Sequence, residues 1–166
     1  MIKLRPFKLE DWQYLNQWIS NESDLIQFAG PIFSFPIDQK QIENYLSDSN
    51  RIIFRVDTES GQTIGIAEIS IETYTIMKLA RILIGEKSLH GQGIGTELIR
   101  TLTAYAFDKL KANKVILNVY SWNISAIKCY QKVGFSQTDK PITYIQVGND
   151  EWETIEMSIH RDNFLI

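Results

Sequence analysis

Three glycines at alternate positions, Gly91, Gly93 and Gly95, stand between a run of β-branched residues and a long stretch of helical periodicity. Strand, glycine loop, helix: that order is the strongest constraint the chain places on its own fold. Without Cβ atoms in the way, the backbone of Leu89-His90-Gly91-Gln92-Gly93-Ile94-Gly95-Thr96 can approach a ligand closely. The first amides of the helix lack intrahelical partners and carry the positive end of its dipole. The segment therefore reads either as a phosphate or pyrophosphate site or as a tight turn with no ligand. Spacing removes two phosphate loops. A Walker A loop ends in Gly-Lys-Ser/Thr, whereas Gly95 is followed by Thr96 with no lysine. A dinucleotide fingerprint would need its third glycine at Thr96, and would follow the first strand of the domain instead of falling midway along the chain.

At 166 residues, with 44% hydrophobic and 22% charged residues, the chain has the size and composition of one globular domain, taken as 1–166. Seventeen Lys and Arg against 20 Asp and Glu give a net charge of −3, so no basic surplus is available to hold a nucleic-acid backbone. One cysteine allows no internal disulfide and no cysteine cluster for zinc. His90 and His160 are far apart in sequence and unsupported by acids, so no metal is expected. The opening residues turn charged before a signal peptide could form, and no run is long enough to span a membrane, so a cytoplasmic location is expected.

Residues Ile2 to Arg5 read as a strand stopped by Pro6, followed by helical spacing through Leu9, Trp12, Leu15, Trp18 and Ile19. Asp38 and Gln41 have the form of a capping box ahead of Ile42, Tyr45 and Leu46. The aromatic segment from Ser23 to Ile37, broken by Pro31 and Pro36, reads as a loop that either lines something or folds onto the core. Strands are expected over Arg51–Val56, Thr63–Ile71 and Lys78–Ile84, then a helix from Gly93 to about Lys111 and a strand through Val115, Leu117 and Val119. Asn123 caps a short helix that ends at Val133, with Gly134 suited to the left-handed position after it. Phe135–Val147 and Glu153–Ile159 look like a closing hairpin, whose second arm alternates so that Thr154, Glu156 and Ser158 face water. The order points to α+β with a mixed sheet.

The glycine segment resembles the acyl-coenzyme A loop of the GNAT family of N-acetyltransferases, R/Q-x-x-G-x-G/A, with His90, Gly93 and Gly95 in its positions. The resemblance continues in the family pattern N-x-x-A-x-x-x-Y-x-x-x-G-F, matched by Asn123, Ala126, Tyr130, Gly134 and Phe135. It covers the chain well from about Ile64 to the end, and the opening strand and helices also fit. It implies a GNAT-like mixed, mostly antiparallel sheet flanked by helices, with a splayed central strand pair, and acetyl-coenzyme A as co-substrate without a metal.

By the same resemblance, Leu83, Ile84 and Gly85 lie on the strand that pairs with the pantetheine arm. The amide of Leu83 or its neighbour would polarise the thioester carbonyl. The loop from Gly91 through Gln92, Gly93, Ile94 and Gly95 to Thr96 would take the pyrophosphate, with His90 facing a phosphate or capping the loop. Asn123 would cap its helix or bond the pantetheine arm, and Ala126 lies on the same helix. Tyr130 would protonate the departing thiolate. Relatives often carry an acid on the strand ahead of the loop, where this chain has Arg81. Glu68, with Glu72 behind it, is then the candidate base for the acceptor ammonium, directly or through water. Cys129 reads as a small buried cysteine, since no histidine is placed to activate it.

The function these residues imply is acetyl transfer from acetyl-coenzyme A to a primary amine by direct attack. The acceptor would be a small amine, a polyamine or a peptide amine, bound by the Trp18–Ile37 region and the hairpin with Tyr144 and Trp152. No nucleic acid or membrane partner is expected, and the chain would work as a monomer or homodimer. The competing readings are a non-catalytic module that senses acyl-coenzyme A or binds a partner, supported by Arg81, and a nucleotide-binding regulator that keeps only the phosphate loop.

Overall fold

The computed structural model describes residues 1–165. The chain forms two compact units, Met1–Glu68 with Ala80–Ile94, and Ile69–Leu79 with Gly95 onward.

In the first unit, β1 (Ile2–Pro6) runs antiparallel to β2 (Arg51–Thr58), with Ile2 opposite Thr58 and Pro6 opposite Phe54. Next to β2 lies β3 (Thr63–Ile71), and next to that β4 (Ile76–Ile84). Three helices occupy the stretch between β1 and β2: α1 (Trp12–Trp18), α2 (Glu22–Ala29) and α3 (Gln39–Leu46). Leu15, Leu25 and Ile42, one from each helix, are wholly or almost wholly buried and share a core cluster with Ile66 of β3. Each such side chain contributes ~1.5–3 kcal/mol on burial.

The expected loop before Ile37 is therefore helical over α2. Asn21 accepts the Asp24 amide at 2.8 Å as its N-cap, and Leu25, Phe28 and Ala29 fall on one buried face. Asp38 caps α3 as expected, accepting the Gln41 amide at 2.9 Å. The reciprocal half of the box does not form. The Gln41 side chain instead accepts from Ser34 N at 2.7 Å and donates to the Ser34 and Pro36 carbonyls.

Two buried carboxylates tie the edge of this unit together. Asp57 accepts both Arg55 Nε and Nη2 at 3.0 Å and the Thr63 hydroxyl at 3.0 Å. Asp11 accepts Arg55 Nη1 and the Lys8 amide, each at 2.8 Å.

In the second unit, β5 (Lys114–Tyr120) is parallel to β4, paired from Ile76–Lys114 to Leu79–Leu117, where that ladder ends. Along its whole length β5 is antiparallel to β8 (Asp150–His160), which also carries β6 (Ser136–Gln137) and β7 (Thr143–Val147). The sheet is thus mixed and mostly antiparallel, as expected.

Helix α4 (Ile94–Asp108) buries Leu98, Ile99, Leu102, Ala106 and Phe107. It stops short of the expected Lys111. The Lys109 and Leu110 amides both reach the Tyr105 carbonyl, and Lys111 turns left-handed at φ +59°. Helix α5 (Ile124–Val133) has the expected bounds, with Asn123 accepting the Ala126 amide and Gly134 at φ +109°. The first arm of the closing hairpin is broken into β6 and β7 around Pro141, which has no amide to donate. The expected wet face of β8 is also corrected: Thr154 and Ser158 are buried and Glu156 between them is half-buried, so β8 is covered on both faces.

Candidate active site

The glycine loop enters α4 with Gly91 at φ +79° and Gly93 at φ +84°. Nothing lies within 4 Å of where a Cβ on either would stand. Both therefore need glycine for their backbone conformation, and both leave that side open. Among the described residues the amides of Gly91, Gln92 and Gly93 donate to nothing. Unpaired amides running into the start of a 15-residue helix are what a pyrophosphate requires. Gly95 differs from the other two. Its Cβ position is 3.6 Å from Cys129 Sγ, an ordinary contact, and Thr96 Oγ1 lies 3.3 Å from the same sulfur. His90 Nε2 is 2.8 Å from the Ile84 carbonyl, so that ring nitrogen ties the loop to the end of β4.

Ahead of the loop, the Gly85 amide donates to Ile64 O at 2.9 Å, and the Glu72 amide donates to Ile76 O at 3.1 Å. Between these two bonds β3 covers eight residue steps and β4 nine. The extra residue makes a bulge in β4. Arg81, at φ +46°, is the non-glycine residue of β4 in the left-handed region. That conformation costs an L-residue ~1–2 kcal/mol. Beyond the bulge, a Cβ on Gly85 would stand 1.9 Å from the Trp18 indole, so ring and glycine backbone are in direct contact.

Glu68, the candidate base, is fully buried in the first unit. Its Oε2 accepts the Tyr45 hydroxyl and Arg81 Nε. Its Oε1 accepts Arg81 Nη2 at 2.5 Å and Arg51 Nη1 at 3.4 Å. Arg51 Nε in turn donates to Asp48 at 2.7 Å, and both guanidiniums stand over the Tyr45 ring, 5.4 and 5.8 Å from its centroid. Burial, then the Glu68 charge, push the Tyr45 phenol well above its ordinary value, so it remains a donor. Burial alone would lower the Arg81 guanidinium, but its bonds to Glu68 outweigh that and raise it. Beside this cluster Phe33, Tyr45, Asp48 and Arg51 line a cavity of about 260 Å³. Tyr45 and Arg51 escaped sequence reasoning. Tyr45 reads as part of an apolar helix stripe, and its partner is 23 residues away.

Tyr130 lies in the second unit, seven residues after Asn123. That is about two helical turns, so both share one side of α5. Its ring is 6.2 Å from Phe135, and its hydroxyl has no partner among the described residues and is not sealed from solvent. Burial, then the neighbouring Cys129, push the phenol up. Burial likewise raises the Cys129 thiol. Near the cap, Trp122 stacks on Tyr120 at 5.7 Å and meets Trp152 edge-on at 5.1 Å, while Tyr144 is exposed. Among the described residues no group of three or more His, Cys, Asp or Glu could hold a metal, and no helix is long and apolar enough to cross a membrane.

The family model for the acetyltransferase (GNAT) domain matches residues 2–136. Spermidine N(1)-acetyltransferase of Escherichia coli (strain K12) is 26% identical over 166 residues, covering 99% of this chain and 88% of that protein. Aminoglycoside N(6')-acetyltransferase type 1 of Klebsiella pneumoniae is 25% identical over 150 residues, covering 82% and 74%. Among solved structures, spermidine N-acetyltransferase from Vibrio cholerae in complex with CoA and spermine has a TM-score of 0.83 at 19% identity, over 99% of this chain and 98% of that one. At that identity the likeness speaks for the fold.

Proposed function

This chain belongs to the GNAT family of acetyltransferases, and from that premise we propose a course for its reaction and a class of acceptor. The enzyme is an N-acetyltransferase that moves an acetyl group from acetyl-coenzyme A to a primary amine. We read residues 1–166 as one acetyltransferase domain. The unpaired amides of Gly91, Gln92 and Gly93, with those opening α4 from Ile94 through Gly95 to Thr96, receive the pyrophosphate. The β4 backbone around Leu83 and Ile84 faces the thioester, and one of its amides holds the carbonyl oxygen as it becomes negative. Asn123, Ala126 and Tyr130 line the same side of α5 along the pantetheine arm.

The amine nitrogen attacks the thioester carbon. A C–N bond forms, the C–S bond breaks, and Tyr130 gives its proton to the departing sulfur; the acylated nitrogen sheds a proton to water, and Tyr130 takes one back from water to complete the cycle. The observation that carries this role is the Tyr130 hydroxyl itself, held protonated by burial and unpartnered among the described residues. The acceptor ammonium loses its proton to water, because every lone-pair position of Glu68 is already occupied.

The acceptor is a polyamine or another small polycationic amine. This follows the relatives that match along most of the chain, which act on spermidine and aminoglycosides, and it suits a net charge of −3. A single cysteine suits a reducing cytoplasm. The test is thiol release from acetyl-coenzyme A in the presence of spermidine, an aminoglycoside or a peptide amine. Turnover with the first two and little with the peptide is expected. Turnover with the peptide alone would overturn the acceptor class. Tight acetyl-coenzyme A binding without transfer to any amine would favour the sensing module.

A further inference from the structure

Nothing in the proposed reaction uses the Glu68 carboxylate, yet three cationic or hydroxyl groups converge on it inside the core. With four acceptor positions filled it has no lone pair to offer an acceptor. What it holds is Arg81, by Nε on one oxygen and Nη2 on the other, a fork-to-fork pair that fixes the guanidinium plane. Arg81 is also the residue of β4 whose backbone is left-handed, and it lies within the span from Ile76 to Gly85 over which β4 runs one residue longer than β3. A strained conformation persists only when its surroundings over-determine it. Here the side chain of the strained residue is anchored to the neighbouring strand, and the anchor is itself braced by Tyr45 from α3 and Arg51 from β2.

We propose that Glu68 is a positioning residue: by gripping the Arg81 guanidinium it holds β4 to its bulged course, and so fixes the direction in which the amides around Leu83 and Ile84 leave the strand. The inference rests on the proposed role of the β4 amides at the thioester carbonyl. Arginine is the side chain that can fork onto a buried carboxylate in this way.

A base and a clasp behave differently when removed. Glu68→Gln keeps the shape and loses the charge. A lost base is replaced by hydroxide or by neutral acceptor, so activity returns at high pH. A lost clasp misdirects the amides at every pH. The clasp also predicts a rescue. Adding Arg81→Gly to Glu68→Gln removes the ungripped guanidinium and leaves a residue that takes positive φ without strain.

The experiment measures kcat and KM between pH 7 and 10, together with amide hydrogen exchange over residues 80–84, for the parent, Glu68→Gln and the double variant. In Glu68→Gln, kcat should fall about 10–100-fold at every pH, as a misplaced reacting geometry costs. Its KM for acetyl-coenzyme A should change far less, and exchange at 80–84 should quicken. The double variant should regain most of the rate and most of the protection. Recovery of Glu68→Gln at high pH, or a double variant as slow and as unprotected as the single one, would overturn the clasp. Should Glu68→Gln not fold, Arg81→Lys serves, because it keeps the charge and loses the fork. A smaller loss with the same exchange signature is expected, and parent-like rate and exchange would overturn the proposal. If the parent acetylates no amine, the proposed function fails, and the exchange measurements still decide the clasp.

Discussion

Tyr130 is half-buried with a hydroxyl that has no partner among the described residues, and its desolvated phenol sets its chemistry. A phenol whose pKa is raised holds its proton below that raised value, so the acid stays loaded while an alkylammonium acceptor, with a pKa near ~10, is losing its own proton. The rate should therefore climb with pH through that range without a falling limb below it. A bell that descends near pH ~8.5, the ordinary thiol range, would assign the proton to another group. Tyr130→Phe should cut turnover by about 10²–10⁴-fold while calorimetry finds acetyl-coenzyme A affinity retained. Equal turnover would leave Tyr130 as a packing residue against Phe135. This position was legible in the sequence because its coordinates are local. Asn123 and Gly134 bracket the helix by capping chemistry, and the residues between them fall where 3.6 residues per turn puts them. The partners of Glu68 were not legible, since they lie 13, 17 and 23 residues away and only the pairing of strands and the packing of α3 bring them in.

Among the elements, the glycine loop separates backbone need from ligand need. Gly93→Ala forces a side chain into φ +84°, so it should lower both stability, by about 1–2 kcal/mol, and acetyl-coenzyme A affinity. Gly95→Val meets Cys129 Sγ at contact distance in an ordinary helical conformation, so its melting temperature should hold within a few degrees while affinity drops. Calorimetry alongside thermal melts checks the pair, and unchanged affinity in a folded Gly95→Val would remove that position from the site. At the sheet edge, Asp57→Ala strips a buried acceptor from Arg55 and Thr63 and should cost about 3 kcal/mol in urea unfolding. A loss below ~0.5 kcal/mol would mean the pair behaves as an exposed one. Helix α2 went unread because Gly30, Pro31 and Pro36 dominate its neighbourhood, although Asn21 supplied a cap and Leu25, Phe28 and Ala29 the spacing. Gln41 was read as half of a box when its side chain has a better use, holding Ser34 and Pro36 by three bonds.

At the scale of the whole molecule, binding and stability are one equilibrium. A ligand at 100 times its Kd adds about 2.7 kcal/mol to the folded state, which for a chain of this size raises Tm by roughly 5–10 °C. Acetyl-coenzyme A at that excess should produce such a shift, and acetylated pantetheine at equal concentration, lacking the pyrophosphate, should produce much less. Equal shifts would mean that the loop amides contribute nothing. The mixed sheet was legible from the alternation of β-branched strands with the two later helices. The bulge in β4 was not, because it is defined by which β3 residue each β4 residue opposes, and that pairing is written in neither strand alone. The contact between Gly85 and Trp18 carries a consequence for how this chain can vary. An alanine at 85 beside the indole would clash, whereas a smaller side chain at 18 only opens space. Variation at this pair therefore has an order: position 18 must shrink before position 85 can grow, and a mutational library that samples both should recover alanine at 85 only beside a reduced residue 18.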